Sequence, residues 1–538
     1  MVKNFINKNI LWLIVLLLAI IYSSCLIKTP LLSAGDVLHQ SWIAGEIADT
    51  GTIPIQNPMT GNFDILSLSP LFQILGAQLS LLTGIHEIYI YVALNFLLIP
   101  MLCLGFYLVT RKLFLNETIA LLAVLIFFSL NSATYISRHI SFFVIKEATI
   151  AIFLVFCILY LTITLLKHQG RYQVRLLALY GTLVAVTALT HQFTTFSIVS
   201  ILVSLYVLLF VLYPQLRKKI LLLGSIVFVA IIIVFLLNAN LLFYPETGYL
   251  TTQQHTFTKD FTESSAVSSN DLRSSYLSSV FDDAYHPLLL LCAVFGGIFF
   301  IIVQKKSARE MPAHLFIPAV WIITFFILAL QPIGNFQLLP TRFLHWTIIP
   351  LAIIAGYGLY FLLLSFKRSS IQLSLLAALV IIPLTMSITL NADSFDSTEN
   401  ISFKELESYV RIHTILADSD NKTVVSDPFF GYKLITISGA QLTYRYERTG
   451  MYRDDSLEFD AVKKFIYSDP ESAYDYASSS GAKYIAINYD DKHRYYEEAD
   501  YAKLDDADRY RRIVHEYPGS MDEISIYEIV PRNKDSLR

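Results

Sequence analysis

Charged residues are scarce in this 538-residue chain: 15% of its residues are charged, 55% are hydrophobic, and the mean hydropathy is +0.54. Soluble globular domains carry about 25% charged residues. The scarcity is confined to one part of the chain. Residues 1–390 hold 14 of the 43 acidic and 21 of the 40 basic residues, and residues 391–538 hold the others. The composition therefore predicts a membrane domain over residues 1–390 and a soluble domain over residues 391–538.

Cysteine is also rare. The four cysteines are Cys25, Cys103, Cys157 and Cys292, all in or beside apolar stretches, and the predicted soluble domain has none. This absence excludes a disulfide framework and a cysteine-bound zinc ion in that domain. We expect the four thiols to act as small packing residues.

Eleven apolar stretches are long enough to cross a bilayer, which takes about 17–25 residues. They cover residues 10–28, 88–110, 117–134, 147–166, 174–191, 194–213, 219–241, 286–304, 313–331, 343–365 and 370–390. Lys, Arg, Asp and Glu occur only at their ends. Ion-coupled carriers place ionisable residues near the bilayer midplane, so this absence argues against a carrier. The lack of a polar pore lining argues against a channel, and any chemistry is expected at the outer membrane–water interface.

The basic residues predict the orientation. With the N-terminus in the cytoplasm, alternation of the spans places 15 of the 21 basic residues of the membrane domain on the cytoplasmic side, as the positive-inside rule requires. The outer loops then cover about residues 29–87, 135–146, 242–285 and 332–342, and the soluble domain lies outside the cytoplasm. We therefore predict a multi-pass protein of the cell membrane with a cytoplasmic N-terminus.

The soluble domain has the patterns of an α/β fold, with a small open sheet and helices. Helical periodicity is present in "SFKELESYVRIHTILAD" and over residues 456–480. The β-rich runs are "KTVVSD", "LITISGAQLTY", "AKYIAINY" and "EISIYEIV".

The stretch "SAGDVLHQSWIAGEIADTGTIP", residues 33–54, follows directly on the first membrane span. It predicts a helix lying in the interface plane and ending at Gly51. The apolar side of this helix carries Val37, Ile43, Ala44 and Ile47. The polar side carries Gln40, Glu46 and Asp49. Asp36 has two interpretations: a helix cap, or an outward-facing functional acid with His39 one turn further on.

This stretch, and more weakly "RHISFFVIKEATI" and "LLPTRFLHW", resembles the C-type fold (GT-C) glycosyltransferases. That family includes protein O-mannosyltransferases, lipid A aminoarabinose transferases and oligosaccharyltransferases. As architecture the resemblance covers nearly the whole chain, from a membrane helix with an outward Asp to an outward C-terminal α/β domain. The soluble domain lacks the Trp-Trp-Asp motif of oligosaccharyltransferases, and the first outer loop lacks the Asp-Glu pair of O-mannosyltransferases.

The resemblance implies transfer of a sugar from a polyprenyl-phosphate carrier to a glycan, lipid or protein acceptor on the outer face. It assigns Asp36 as general base or metal ligand. Glu147, the acid nearest to the second outer loop, is the candidate for a second catalytic or metal-ligating carboxylate. The resemblance leaves the requirement for one cofactor undecided, a divalent metal ion.

The residue types indicate which side chains would bind the lipid phosphate. Arg is suited to phosphate because its planar fork matches the phosphate oxygens, and Arg342 and Arg138 are among six basic residues on the outer side. The histidines near outer helix ends are candidates for lining the site: His39, His139, His191 and His345. Two of these residues also have a purely structural interpretation. Arg342 would be a snorkelling anchor at the membrane interface beside Trp346. Glu147 would be an acid in the first turn of a helix, where the helix dipole favours it.

We therefore predict a multi-pass helical membrane glycosyltransferase of about eleven spans, with an inverting mechanism and an extracytoplasmic site. Its partners are the lipid-linked donor, the acceptor and membrane lipids; no nucleic acid partner is expected. The alternative from another class is a non-catalytic scaffold or lipid-glycan flippase whose outer domain binds a partner.

Overall fold

A computed structural model describes residues 9, 11–16, 20, 35–54, 70–132, 147–167, 174–242, 287–304, 311–330, 340–366, 370–378 except 373, 401–442 except 418 and 427, 465–488, and 501–531 except 521. The chain divides into two compact units. The membrane unit comprises Met1–Ser24, Leu68–Phe72 and Leu94–Phe395, and the second unit comprises Cys25–Ser67, Gln73–Ala93 and Asp396–Arg538.

The described helices, in chain order, are α1 (Gly35–Thr50), α2 (Leu71–Thr83), α3 (Glu87–Phe114), α4 (Glu117–Ser132), α5 (Glu147–Lys167), α6 (Val174–Thr190), α7 (Gln192–Leu212), α8 (Arg217–Leu242), α9 (Pro287–Gln304), α10 (Ile317–Ala329), α11 (Pro340–Ser365), α12 (Phe403–Ala417), α13 (Pro428–Ser438) and α14 (Pro470–Ser479). The described strands are β1 (Thr423–Val425), β2 (Gln441–Leu442), β3 (Tyr484–Asn488), β4 (Tyr510–Glu516) and β5 (Ile524–Ile529).

The membrane unit is a helical bundle built from α4 to α11 and most of α3. Among the described residues, five segments are long and apolar enough to cross a membrane: Glu87–Phe114, Ala148–Lys167, Gln192–Leu212, Pro214–Leu237 and Trp346–Ser365. Helices suit this environment because all their backbone hydrogen bonds are internal. The helices α4 to α11 agree with the apolar stretches within a few residues. The predicted count of eleven spans stays a prediction, since parts of the first and last stretches lie outside the described residues.

Contacts at both ends of the bundle are consistent with consecutive helices that alternate in direction. At one end Lys167 Nζ, at the end of α5, donates a hydrogen bond to the Lys112 carbonyl near the end of α3, at 2.7 Å. At the other end the Phe193 ring, near the start of α7, lies 5.0 Å from the Phe343 ring near the start of α11. Helix ends that alternation assigns to the same side therefore meet.

Glycines allow three helices of the bundle to pack closely. A Cβ atom on Gly296 of α9 would overlap the Ile354 carbonyl oxygen of α11, and one on Gly358 of α11 would overlap the Gly296 backbone. A Cβ atom on Gly356 would lie 2.6 Å from the Ala123 Cα of α4. Small residues at such positions let helix backbones approach in a membrane, where packing rather than the hydrophobic effect drives association.

The second unit combines two helices of the predicted first outer loop with the α/β domain. Helix α1 packs on α13, and α13 packs on α12. The His86 Nε2 atom, just before α3, lies 3.2 Å from the Ile437 carbonyl oxygen at the end of α13. Ser80 of α2 donates a hydrogen bond to Glu87 at 2.7 Å. The loop helices are therefore part of one folded body with the domain.

The sheet of the α/β domain has the strand order β2-β1-β3-β5-β4. β1 pairs in parallel with β2 and β3, and β5 pairs antiparallel with β3 and β4. A bulge interrupts the last pair between Arg512 and Val514. Side chains of α14 and one sheet face form the core: Ala473, Tyr474, Ala477, Ile485, Ile487, Tyr527 and Ile529.

Several sequence predictions for this domain are confirmed. The helix in "SFKELESYVRIHTILAD" is α12, and β1, β3 and β5 lie in three of the four β-rich runs. Residues 470–479 of the predicted helix 456–480 form α14, and residues 456–464 lie outside the described residues. The boundary at residues 390 and 391 also lies outside them and stays a prediction.

The prediction of a strand over the fourth run, "LITISGAQLTY", is wrong for its first five residues. These five residues are the end of α13, and among the described residues of the run Gln441 and Leu442 form a strand. Leu434 and Ile437 are three residues apart and both buried, so packing of one helical face overrides their β propensity. Gly439, with φ of +67°, ends the helix.

Two further findings differ from the sequence prediction. Gln40 was predicted on the polar side of the first-loop helix, but it is fully buried, because α1 is covered by α13 and by Tyr91, whose hydroxyl donates to the Gln40 carbonyl at 3.5 Å. Helix α2 was not predicted. Its 13 residues are too few to cross a bilayer, so a search for spans does not find it.

Candidate active site

Helix α1 carries the predicted base. Asp36 is its second residue and His39 follows three residues later, so the two positions share one helical face. The structure describes the backbone of Asp36 but not its side chain. His39 is buried, and its ring lies 6.0 Å from the Trp42 ring. The His39 side chain is therefore enclosed within the second unit. Its contact with a substrate stays a prediction.

The end of α1 is held against the start of α3. Gly51, with φ of +70°, ends the helix and donates its N–H to the Ile47 carbonyl at 2.9 Å. A Cβ atom on Gly45 would lie 3.7 Å from Glu87 Oε2. Burial, and then the charge of Asp49, raise the pKa of Glu46 above its ordinary value. The predicted end of this helix at Gly51 is confirmed.

Helices α6 and α7 form a tight helical hairpin, and His191 is the single residue between them. The His191 Nδ1 atom accepts a hydrogen bond from the Thr194 N–H at 3.2 Å and lies 2.7 Å from Thr194 Oγ1. His191 is thus the N-cap of α7. This structural role accounts for one ring nitrogen, and substrate contact by this residue stays a prediction.

Five aromatic side chains bring the starts of α7 and α11 and the end of α10 together. We call them the aromatic cluster: Phe193, Phe196, Phe325, Phe343 and Trp346. Phe193 lies 6.5 Å from the His191 ring, and Phe325 lies 5.6 Å from Phe343 and 6.2 Å from Trp346. Such ring separations are typical of favourable aromatic pairs. The sequence suggested Trp346 as a membrane-interface residue, but it is only 1% exposed.

Arg342 and His345 stand in the first turns of α11, beside members of the aromatic cluster in sequence. The structure places their backbones in this helix and does not describe their side chains. A helix start offers free N–H groups that suit an anionic phosphate, and an arginine there adds a bidentate donor. Phosphate binding at this end of α11 therefore stays a prediction.

The structure describes the remaining candidates only in part. Glu147 is the first residue of α5, and alternation puts this helix start at the end of the bundle that holds the aromatic cluster. Arg138 and His139 lie outside the described residues. No group of three His, Cys, Asp or Glu side chains in the described ranges could hold a metal ion. Metal binding by Asp36 and Glu147 stays a prediction, since the side chains of both fall outside that description.

The candidates are divided between the two units. Asp36 and His39 lie in the second unit, and Glu147, His191, Arg342 and His345 lie in the membrane unit. Within the membrane unit the aromatic cluster joins the helix starts next to His191 and Arg342. The sequence did not assign this cluster. Its signal was the repeated spacing of three residues, Phe193 with Phe196 and Phe343 with Trp346, at the starts of two helices.

Comparison with known proteins gives matches at the level of structure. No family model matches the sequence, and no curated protein matches it. The oligosaccharyltransferase of Archaeoglobus fulgidus is 12% identical over 91% of this chain and 71% of its own, with a TM-score of 0.55. ArnT of Cupriavidus metallidurans is 12% identical over 97% of this chain and 98% of its own, with a TM-score of 0.51.

The mycobacterial arabinofuranosyltransferase AftD is also similar in structure. It is 13% identical over 98% of this chain and 40% of its own length, with a TM-score of 0.52. All three proteins are membrane glycosyltransferases of the GT-C superfamily. Identities this low show a shared fold. The chain is therefore a multi-pass helical membrane protein with a small C-terminal α/β domain, and it has the fold of the GT-C glycosyltransferases.

Proposed function

We propose that this chain is a membrane glycosyltransferase that moves a sugar from a polyprenyl-phosphate-linked donor to an acceptor. The observation that carries the proposal is the fold shared with ArnT over nearly the full length of both chains. The ArnT structure holds undecaprenyl phosphate, and the Archaeoglobus oligosaccharyltransferase has been captured with dolichol-phosphate and an inhibitory peptide. The donor class is therefore a lipid phosphate, and the acceptor is a glycan, lipid or protein.

The proposed site lies at the end of the bundle that holds the aromatic cluster. Arg342 binds the phosphate of the donor, and the start of α11 adds its backbone N–H groups. The leaving lipid phosphate develops negative charge as the bond from its oxygen to the anomeric carbon breaks. A fixed cation at that position stabilises the charge most in the transition state. His191 and His345 line the same end of the bundle.

Asp36 acts as the general base in this proposal. The acceptor hydroxyl attacks the anomeric carbon from the face opposite to the phosphate, and its proton passes to the Asp36 carboxylate. The configuration of the anomeric carbon is inverted. The α/β domain supports this step by position, since α1 packs on α13 and is tied to Tyr91.

The proposed orientation places this site outside the cytoplasm. Basic residues gather at the opposite end of the bundle, at the end of α3, the end of α5 and the start of α8: Arg111, Lys112, Lys167, Arg217, Lys218 and Lys219. The positive-inside rule assigns that end to the cytoplasm. The aromatic cluster, on α7, α10 and α11 at the opposite end of the bundle, then lies on the outer side, where the lipid-linked donor and the acceptor meet.

The proposed chemistry is tested by sugar transfer in proteoliposomes. The full-length protein receives a panel of radiolabelled polyprenyl-phosphate-linked sugars, with membranes from a strain that lacks the protein as the source of acceptor. Asp36→Asn removes the proton acceptor and retains a polar side chain of the same shape. We expect transfer to fall by about 100-fold or more at unchanged melting temperature. Asp49→Asn, an exposed acid on the same helix, is the matched control and should retain activity.

Other outcomes point to the alternative functions. Wild-type turnover by Asp36→Asn removes Asp36 from the chemistry and leaves it a structural residue of α1. Passage of labelled donor across the bilayer without transfer would identify a flippase. The absence of both transfer and passage with every donor would identify a non-catalytic scaffold.

A further inference from the structure

Three lysines meet at the end of the bundle opposite to the aromatic cluster. We call Lys112, Lys167 and Lys219 the lysine cluster; they stand at the end of α3, the end of α5 and the start of α8. Lys167 Nζ donates to the Lys112 carbonyl at 2.7 Å, and Lys219 Nζ donates to the Leu166 carbonyl at 3.4 Å. The three helix ends therefore meet at these lysines, through the ammonium groups of Lys167 and Lys219 and the backbone carbonyl groups of Lys112 and Leu166.

The lysine cluster has an excess of positive charge. Lys112 and Lys167 are close enough to repel each other, and neither forms an ion pair with a carboxylate among the described residues. The buried His314 ring faces Lys167 and hydrogen-bonds to the Leu113 backbone. All three lysines are partly exposed. Like charges held together at the edge of a membrane protein are unfavourable until an anion joins them.

A lipid-facing stripe leads directly to the lysine cluster. On α3 the residues Leu97, Met101, Leu104 and Leu108 are 58%, 38%, 52% and 37% exposed. They recur at helical spacing on one face, and Lys112 follows Leu108 by one turn on that face. The Lys112 ammonium also lies 5.0 Å from the centre of the Tyr160 ring. An acyl chain along the stripe would have its headgroup at Lys112.

We propose that the lysine cluster binds the phosphate of an anionic phospholipid, with one acyl chain along the exposed stripe of α3. Basic pockets between transmembrane helices at the cytoplasmic side bind such headgroups. The bound phosphate neutralises Lys112 and Lys167, and its other oxygens remain in water. This site is separate from the proposed transfer site, because it lies at the opposite end of the bundle and on other helices.

The test is a native mass spectrometry titration of the detergent-solubilised full-length protein with short-chain phosphatidylglycerol. We expect one saturable site, with short-chain phosphatidylcholine binding much more weakly. Each lysine near the headgroup contributes about fivefold to affinity, so Lys112→Gln/Lys167→Gln should bind about 30-fold more weakly. Glutamine retains a donor for the Lys112 carbonyl, and Lys112→Arg/Lys167→Arg, which retains both charges, should bind like the wild type.

The control has the same loss of charge at the same end of the bundle. Arg175→Gln/Lys218→Gln removes two exposed basic residues and should bind phosphatidylglycerol like the wild type. Equal weakening of the control and of Lys112→Gln/Lys167→Gln would overturn the site in favour of general surface charge. Glycerol phosphate, the headgroup without chains, should not compete at equal concentration. Equal competition would overturn the lipid and identify a free phosphate site. The measurement is independent of sugar transfer.

Discussion

Arg342 is the residue on which the proposed donor site depends most. It is the third residue of α11, and Phe343 and Trp346, which follow it, pack against Phe193 and Phe325. A snorkelling arginine and a phosphate-binding arginine differ in what they require. Snorkelling needs only a long stem with a charged head, whereas bidentate phosphate binding needs the guanidinium fork.

Substitution of Arg342 separates these two roles. We expect Arg342→Lys to weaken binding of undecaprenyl phosphate, and Arg342→Gln and Arg342→Ala to weaken it further, at unchanged melting temperature. Binding is measured by titration of the purified protein, with Lys112→Gln/Lys167→Gln as the background so that the lysine cluster does not contribute. If Lys and Arg are equivalent and Ala lowers the melting temperature alone, the arginine is an anchor.

Individual residues were predicted from the sequence to different extents. Asp36 and Arg342 are recognisable because polar residues beside membrane spans are few. The roles of buried residues depend on contacts across the fold. Gln40 became buried because α13 covers α1. That neighbour is not evident from local sequence.

At the scale of helices, close packing of α9 on α11 is the feature most open to test. Gly296 and Gly297 are adjacent on α9, but only Gly296 faces the α11 backbone. We expect Gly296→Ala to destabilise the protein by about 1–3 kcal/mol, because the added methyl group meets backbone atoms that cannot rotate away. The midpoint of thermal unfolding measures this effect.

Gly297→Ala is the control for that measurement, because an added Cβ atom there has no neighbour within 4 Å. It should leave the midpoint unchanged or raise it slightly, since alanine is the better helix former. Equal effects of the two substitutions would mean that the glycines act through helix propensity and not through packing.

A second element-scale prediction concerns the contact of the first-loop helices with the α/β domain. Burial lowers the pKa of His86 from its ordinary 6.5; Glu87 opposes the shift, and the nearby His413 adds to it. The His86 and His413 rings lie 5.3 Å apart, edge to face. His86 is thus neutral when folded at neutral pH, accepting the Ile88 N–H at Nδ1 and facing the Ile437 carbonyl with Nε2.

The sign of the pH effect follows from the lowered pKa. Above pH 6.5 the ring is neutral in the folded and unfolded states, so its contribution is constant. As the pH falls below 6.5 the unfolded state takes up the proton first, and stability is lost. We expect the protection factors of the α13 amides, which correct for the slower intrinsic exchange at lower pH, to fall between pH 6.5 and 5 more in the wild type than in His86→Gln. Parallel pH profiles would mean that another group is responsible.

The sequence predicted most helices but fewer strands, for a physical reason. Membrane helices have long apolar stretches, and bilayer thickness sets their length. Strand β4 was not predicted, because Arg511, Arg512, His515 and Glu516 make four of its seven residues polar. It is the edge of the sheet, where charged side chains are common. Its pairing with β5 depends on tertiary contact rather than on alternation.

At the scale of the whole molecule, composition alone separated a membrane part from a soluble part. It did not predict that α1, α2 and the start of α3 belong to the same folded unit as the α/β domain. That grouping depends on contacts such as His86 with Ile437, between residues 351 positions apart. The grouping suits the proposed function, because it gives the helix that carries Asp36 a rigid support.

The proposed function requires a phosphate-binding group and a general base. We assign the first role to Arg342 of the membrane unit and the second to Asp36 of the second unit. A scaffold or flippase needs neither group, so binding of a lipid phosphate at Arg342 distinguishes the transferase from a scaffold.

The most direct measurement is a cryo-EM structure of the full-length protein with undecaprenyl phosphate. We predict the phosphate within about 3 Å of the Arg342 guanidinium, beside the aromatic cluster. A phosphate bound elsewhere, for example only at the lysine cluster, would contradict the account.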